Sequence, residues 1–304
     1  MIKNVAKLRR RILVAGSSGF VGGAIVREAI AANHFVAGIS RSGTGPAACL
    51  TCSFEVDALA QAIADFKPDM VVHAAGLASV HATEADPNAG ISASVEPFRN
   101  VVEAIERAGI DCALVLISSA AVYGNPLQLP VAEQAPLAPI SAYGRQRVQC
   151  EELAAGLARR RNVPVFSVRG FSLFGVRQRR LLVWELFNRI RNDDRVVIAG
   201  TGDEVRDFLG VGTFAHCVLR LADVRTPGFQ PINIASGSGT RVRGLAELML
   251  SVMGVDKTIV CEGRTFANDP LRWQADVTRY RDLTGVPIEH DLRRSLAAVV
   301  EAWR

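Results

Sequence analysis

The chain has 304 residues, 49% of them hydrophobic, and a formal net charge of +5, so it exceeds one minimal domain and can bury a large core. No apolar run is long enough to demand a membrane, and Lys3, Lys7, Arg9 and Arg10 precede no signal-peptide core, which makes a cytoplasmic protein the expectation. The basic runs 159–161 and 177–180 lack interleaved aromatics, so the charge points to a small anionic ligand and not to nucleic acid.

Residues 11–15 (RILVA) read as a buried strand that runs straight into Gly16, Ser17, Ser18, Gly19, Phe20, Val21 and Gly22. A helical pattern follows, with Ala24, Ile25, Ala29 and Ile30 on one face. Strand, glycine loop and helix in that order place backbone N–H groups and a helix N-terminus against a pyrophosphate, and glycines stand where side chains would block its approach. This loop is the predicted dinucleotide site. A second strand is expected at 34–39, with Ser40 and Arg41 just past its end. An acidic residue there would bond a ribose 2′-OH, whereas an arginine accommodates a 2′-phosphate, so NADP(H) is the expected cofactor, with NAD as the alternative.

Residues 70–74 and 113–118 are apolar runs of strand length, separated by a helix predicted at 95–108 that ends at Gly109. Ser119 follows in ISSAAVYG, and SAYGRQR then places Tyr143 and Arg147 four residues apart on one helix face, with Ser141 as the cap. A hydroxyl beside a phenol beside a fixed cation can move a proton to or from a carbinol or carbonyl oxygen, because the cation favours phenolate. A further strand is expected at 163–168. This alternation predicts an α/β fold, a Rossmann-type doubly wound parallel sheet.

Beyond Gly170 the pattern loosens into helices at 181–191, 214–222, 242–253 and 292–303 and strands at 196–199 and 231–235. Residues 1–170, with about 208–236, are assigned to a dinucleotide-binding domain. About 171–207 and 237–304 form a smaller C-terminal substrate-binding domain that closes a cleft over the strand ends. The six cysteines (Cys49, Cys52, Cys112, Cys150, Cys217 and Cys261) have no His partners at ligand spacing, so buried free thiols are expected and no metal.

Taken in order, GSSGFVG, VVHAAGLASV, ISSAAVYG, SAYGRQR, SVRGFSLFG, VRDFLGV and INIASGSGTRV resemble the motifs of the extended short-chain dehydrogenases/reductases that act on nucleotide sugars. The resemblance covers nearly the whole chain. It implies Ser119 as the catalytic hydroxyl, Tyr143 as the acid/base, and Arg147 as the cation that also holds the nicotinamide ribose. It adds Ala74, Ala75 and Gly76 beside the cofactor, and Ser79, Val80 and Ser172 beside a nucleotide-sugar substrate. Arg206 would read the substrate's diphosphate, its competing role being a pair with Asp203 or Asp207, and Arg272 would be a second diphosphate contact. In the family the helices matching 95–108 and the one from Tyr143 pair across a two-fold axis, and both carry an apolar stripe here, so a homodimer is expected.

The chain departs from the family pattern at several points. Arg147 stands for lysine, Ser172 for asparagine, Val211-Gly212-Thr213 for Val-Asp-Asp, Ser94-Val95 for Asn-Val, and Cys52 for an aspartate that meets the adenine. Ala120-Ala121 replaces the Asp-Glu pair of the 4,6-dehydratases, which removes dehydration from the expected chemistry. Reduction of a 4-keto(-6-deoxy) sugar by hydride transfer is the resulting expectation, ahead of 4-epimerisation with retained NAD. Two more readings stay open: a non-nucleotide carbonyl substrate, and a catalytically impaired dinucleotide-binding sensor or scaffold, the latter favoured by Arg147.

Overall fold

The computed structural model describes residues 9–43, 45–46, 48–51, 54–77, 79–265 and 269–304; Lys3, Lys7 and Cys52 lie outside the described residues. The chain runs β1 (Arg11–Ala15), α1 (Phe20–Ala31), β2 (Phe35–Ser40), β3 (Ala48–Thr51), α2 (Val56–Phe66), β4 (Met70–His73), α3 (Val80–Ala85), α4 (Pro87–Ala108), β5 (Ala113–Ser119), α5 (Ala142–Arg161) and β6 (Pro164–Gly170). It continues through β7 (Ser172–Phe174), α6 (Leu182–Asn192), β8 (Val196–Ile198), β9 (Val205–Gly210), α7 (Val211–Arg220), β10 (Gly228–Ile234), β11 (Gly239–Arg241), α8 (Val242–Met253), β12 (Ile259–Cys261), α9 (Thr278–Thr284) and α10 (Leu292–Trp303).

Seven strands form one parallel sheet in the order β10-β6-β5-β4-β1-β2-β3. The chain winds outward from β1 to β3 and then returns to β4 on the other side of β1. The crevice of this α/β sheet therefore opens beyond the β1 and β4 ends, where Ala15 pairs with His73. The strand interiors are near-continuous apolar runs because helices cover both faces. One face buries Ile25, Val26 and Ala29 of α1 with Phe214 and Val218 of α7. The other buries Leu59 and Ile63 of α2 with Phe98, Val102 and Ile105 of α4 and Cys150, Ala154 and Leu157 of α5. A separate core joins Phe187 and Ile190, Val196, Leu245 and Met249, and Trp303. Cys112, Cys150 and Cys217 are buried free thiols, whereas Cys261 is half-exposed because β12 pairs only with short β8.

Helix α4 begins well before residue 95. Pro87 occupies its first turn, and the Asp86 carboxylate accepts the Ala89 N–H at 2.9 Å, a local start signal that the polar 87–94 stretch hides from a reading of apolar periodicity. Gly109, at φ +65°, ends it as expected. The apolar stripes of α4 and α5 pack on their own sheet, and the outward ridge carries exposed Glu96, Arg99, Arg145, Gln149 and Glu152.

One buried network ties β5, α5, β6 and β10 together. Arg169 and Glu151 side chains are only 3% and 4% exposed and meet as a fork, Nε to Oε1 at 3.0 Å and Nη2 to Oε2 at 2.6 Å. The Arg169 Nη1 also donates to the Tyr123 hydroxyl and the Glu133 carbonyl, both at 2.9 Å. Ser118 donates to Glu151 at 2.7 Å, and Tyr123 to the Asn233 side-chain oxygen at 2.7 Å. Burial works against the Arg169 cation, but the Glu151 carboxylate outweighs it and raises the guanidinium pKa. Glu151→Ala would leave Arg169 buried without its counter-ion and should cost about 3–5 kcal/mol of folding stability. A urea denaturation midpoint unchanged by that substitution would contradict this account.

Candidate active site

The glycine loop is seated by steric necessity. Gly16 has φ +90°, and a Cβ there would lie 2.6 Å from the Ala75 nitrogen. A Cβ on Gly22 would fall 2.2 Å from the Gly16 carbonyl oxygen, so both glycines are required for close packing of loop, α1 and the chain after β4. Gly16 and Ser17 N–H groups donate to the Ile39 carbonyl at 2.8 and 3.2 Å. Ser17 is buried and its hydroxyl donates to the same carbonyl at 3.3 Å, so this side chain holds the loop on β2. Ser18 and Gly19 are exposed, Phe20 and Val21 half-buried, and no side chain caps the α1 N-terminus. A glycine-lined cradle at an uncapped helix start fits a pyrophosphate. Ser40 is buried at the end of β2 and Arg41 is exposed immediately after it.

Ala74, Ala75 and Gly76 follow β4 beside this loop, with Gly76 at φ +126°. Ser79 caps α3, its hydroxyl accepting the Ala82 N–H at 3.2 Å, and Val80 is partly exposed.

Ser119 ends β5, and its Oγ accepts the Ala121 N–H at 3.2 Å, which leaves the hydroxyl proton to be donated elsewhere. Tyr143 is the second residue of α5. Ser141 caps that helix by accepting the Gly144 N–H at 3.1 Å, and the Glu84 carboxylate accepts the Ala142 N–H. The phenol therefore hangs from the N-terminal end of a 20-residue helix. One turn on, the Arg147 guanidinium carbon lies 5.0 Å from the Tyr143 ring centroid. Arg147 is 4% exposed. It donates to the Ile117 and Leu77 carbonyls at 3.4 and 3.3 Å, and among the described residues its Nε meets no acceptor. Two long bonds to neutral acceptors leave this cation with donor capacity for a ligand.

His73, at the end of β4, is the site residue that the pattern VVHAAG did not single out. Its ring packs against Phe98 at a centroid distance of 5.0 Å. Burial first, and the Arg147 charge second, push its pKa down from 6.5 to about 3, with a backbone contact to Ala75 offsetting only part. It is neutral in the folded chain at pH 7. A lowered pKa stabilises the fold above the unfolded value and is lost as pH falls, so stability should decline from about pH 6.5 towards 3 as the unfolded chain takes up the proton. His73→Asn should flatten that decline, read as urea midpoints at pH 7 and pH 5; identical slopes in both proteins would refute it.

Beyond Ser119, a ladder of backbone pairs leads outward towards β7 and β9. Ser119 pairs with Gly170, and Ser172, half-buried at the start of β7, pairs with Phe208, two residues from Arg206. Arg206 is 8% exposed, and its Nη2 meets the Asp269 carboxylate at 2.7 Å while Nη1 donates to the Val205 and Leu271 carbonyls. Its carboxylate partner is thus Asp269, not Asp203 or Asp207. Asp207 points into the glycine-rich turn, where it accepts from Ser236 N and Oγ, Gly237 N and Ala275 N at 2.6–3.1 Å. Arg272 is exposed and bridges to Val205. A cavity of about 340 Å³ lined by Phe187, Ile190, Arg191, Met253, Val255, Lys257 and Arg304 shares none of these residues. Among the described residues no cluster of His, Cys, Asp or Glu is placed to hold a metal ion, and no helix is long and apolar enough to cross a membrane.

The model of the NAD dependent epimerase/dehydratase family matches residues 12–235, and the chain belongs to that family. Over 311 residues it is 27% identical to the UDP-glucose 4-epimerase of Mycolicibacterium smegmatis, covering 97% of this chain and 98% of that one. Over the same length it is 26% identical to the GDP-6-deoxy-D-mannose reductase of Pseudomonas aeruginosa, again with 97% and 98% covered. Its fold matches the structure of the UDP-glucose 4-epimerase of Thermotoga maritima with UDP-glucose at a TM-score of 0.87 and 23% identity, over 96% of this chain and 98% of that one. Members of the family are NAD-dependent nucleotide-sugar epimerases, dehydratases and reductases, and the chain is accordingly an enzyme of this broad kind.

Proposed function

We propose that the chain is an NADPH-dependent reductase of a nucleotide-diphosphate 4-keto(-6-deoxy) sugar. The observation that carries this reading is exposed Arg41 directly after buried Ser40 at the end of β2, where no carboxylate stands to hold a ribose 2′-OH. A consumed reductant is usually NADPH, and the kinship to a GDP-6-deoxy-D-mannose reductase supports the same chemistry. Ala120-Ala121 after Ser119 supplies no second acid/base pair, which disfavours dehydration.

The glycine cradle would hold the pyrophosphate of the dinucleotide, whose nicotinamide would supply the hydride. Tyr143 donates a proton to the sugar oxygen as the carbonyl is reduced. Ser119 holds that oxygen with the hydroxyl proton that its backbone contact leaves free. Arg147, beside the phenol, favours the phenolate that results and has donors to spare for a ribose. Arg206 would exchange Asp269 for substrate phosphate, with Arg272, Ser172, Ser79 and Val80 around the sugar nucleotide. In this proposal residues 1–170 with about 208–236 bind cofactor, and about 171–207 with 237–304 bind substrate. A homodimer also belongs to it, resting on the family resemblance alone. The second reading, a 4-epimerase with retained NAD, is favoured by the 4-epimerase names among the relatives.

Cofactor titration separates the two readings. The unmodified chain should bind NADPH more tightly than NADH, and Arg41→Ala should erode the difference by about 1–3 kcal/mol. Equal dissociation constants for the two cofactors would overturn the NADPH assignment.

A panel of nucleotide-4-keto-6-deoxy sugars and nucleotide hexoses, followed by nicotinamide absorbance and sugar analysis, tests the reaction itself. NADPH consumption with one keto sugar is the expected result, and Tyr143→Phe should lower kcat by about 10²–10⁴ while sparing cofactor affinity. Interconversion of hexose epimers with no net NADPH consumed would transfer the assignment to the epimerase.

A further inference from the structure

Two departures from the family pattern, Arg147 for lysine and Ser94 for asparagine, lie on different helices and meet at a single residue. The Ser94 hydroxyl on α4 accepts the Leu77 N–H at 3.0 Å, and Arg147 on α5 donates to the Leu77 carbonyl at 3.3 Å. The preceding Gly76 is shaped around both. A Cβ there would lie 2.9 Å from the Ser94 oxygen and 3.0 Å from Arg147 Nη2. Hydroxyl and guanidinium thus share one small space, and their residues are 1% and 4% exposed.

A guanidinium is wider than an ammonium, and serine is shorter than asparagine. In a close-packed interior, added volume at one position requires volume given up beside it. We infer that Ser94 and Arg147 are one compensated substitution, and that Ser94 is a positioning residue which sets Arg147, and through it Tyr143. The shorter serine still satisfies the Leu77 N–H while leaving room for the planar fork against the Tyr143 ring. An asparagine at 94 would push a carboxamide into space the guanidinium fills. Beside a lysine at 147 that space reopens.

The inference deepens the reading of Tyr143 and Arg147 given above, and its test does not need the substrate. Ser94→Asn, Arg147→Lys and the double variant are compared with the unmodified chain by NADPH titration and melting temperature, with kcat on any turned-over substrate as a third readout. Each single change should weaken NADPH binding about tenfold. The double should return to within about threefold of the unmodified chain, where independent effects would multiply to about a hundredfold. Ser94→Ala combined with Arg147→Lys adds no bulk and should not recover, which keeps the test valid if Ser94→Asn alone fails to fold. Multiplicative losses in the double variant, or recovery with alanine as complete as with asparagine, would overturn the coupling. If no keto sugar is reduced but the affinity cycle closes as expected, the reductase reading fails and the coupling stands.

Discussion

The buried fork between Arg169 and Glu151 is the constraint on which the site depends. Glu151 lies one turn beyond Arg147 on α5, so the ion pair fixes that helix against β6. Through Ser118, the residue before Ser119, it also fixes that helix against the end of β5. A buried ion pair is weak evidence of net stability, since desolvation opposes its attraction. Its value here is positional. Removing either partner strands a charge, so the helix has one acceptable register relative to the strand that carries the serine. Tyr123, Asn233 and Glu133 extend the same network to β10 and to the loop between β5 and α5. Burial pushes the Tyr123 phenol up to about 12 against the opposing pull of Arg169, which keeps it a neutral donor.

Among the described residues three arginines, Arg147, Arg169 and Arg206, are buried, and they are held in three different ways. Arg169 is held by a carboxylate, a phenol and a carbonyl, which take four of its five N–H donors. Arg206 is matched by a single carboxylate, Asp269, that is itself 54% exposed and so can be exchanged for another anion without unburying a charge. Arg147 meets no carboxylate among the described residues, only the Ile117 and Leu77 carbonyls. Its field is felt instead by the neighbouring ring of His73, which burial and that cation together keep neutral.

Much of this was legible in the chain. The limits of β1, α8 and α10 coincide with those read from apolar spacing, because each is bounded by a local signal: Gly16 after the strand, Gly254 at φ +68° after α8, and the Asp291 cap before α10. The placement of Arg147 over the Tyr143 ring was legible too, since i, i+4 spacing on a capped helix is a local property. Other features were not. Helices α2 and α3 and strands β3, β7, β9, β11 and β12 are short or weakly patterned, and several exist only because a partner strand is present, as β12 does beside β8. Glu151 gives no local sign that it meets Arg169, and Asp269 gives none that it meets Arg206. Each pair joins segments distant in sequence. The apolar stripes on α4 and α5 were visible, but nothing in their spacing tells whether a sheet or a second chain covers them.

By itself the sequence determined the alternating strands and helices of the first half, the glycine loop, the Tyr143–Arg147 spacing and the absence of an acid after β2, because each depends on residue type and on spacing within a few turns. The tertiary structure decided the rest. It chose which carboxylate meets which arginine, buried Ser17 and the stripes of α4 and α5, neutralised His73, and brought Ser94 and Arg147 to opposite ends of Leu77. Those outcomes depend on distances across the sheet and between helices, and charge, desolvation and packing act through space whatever the separation along the chain.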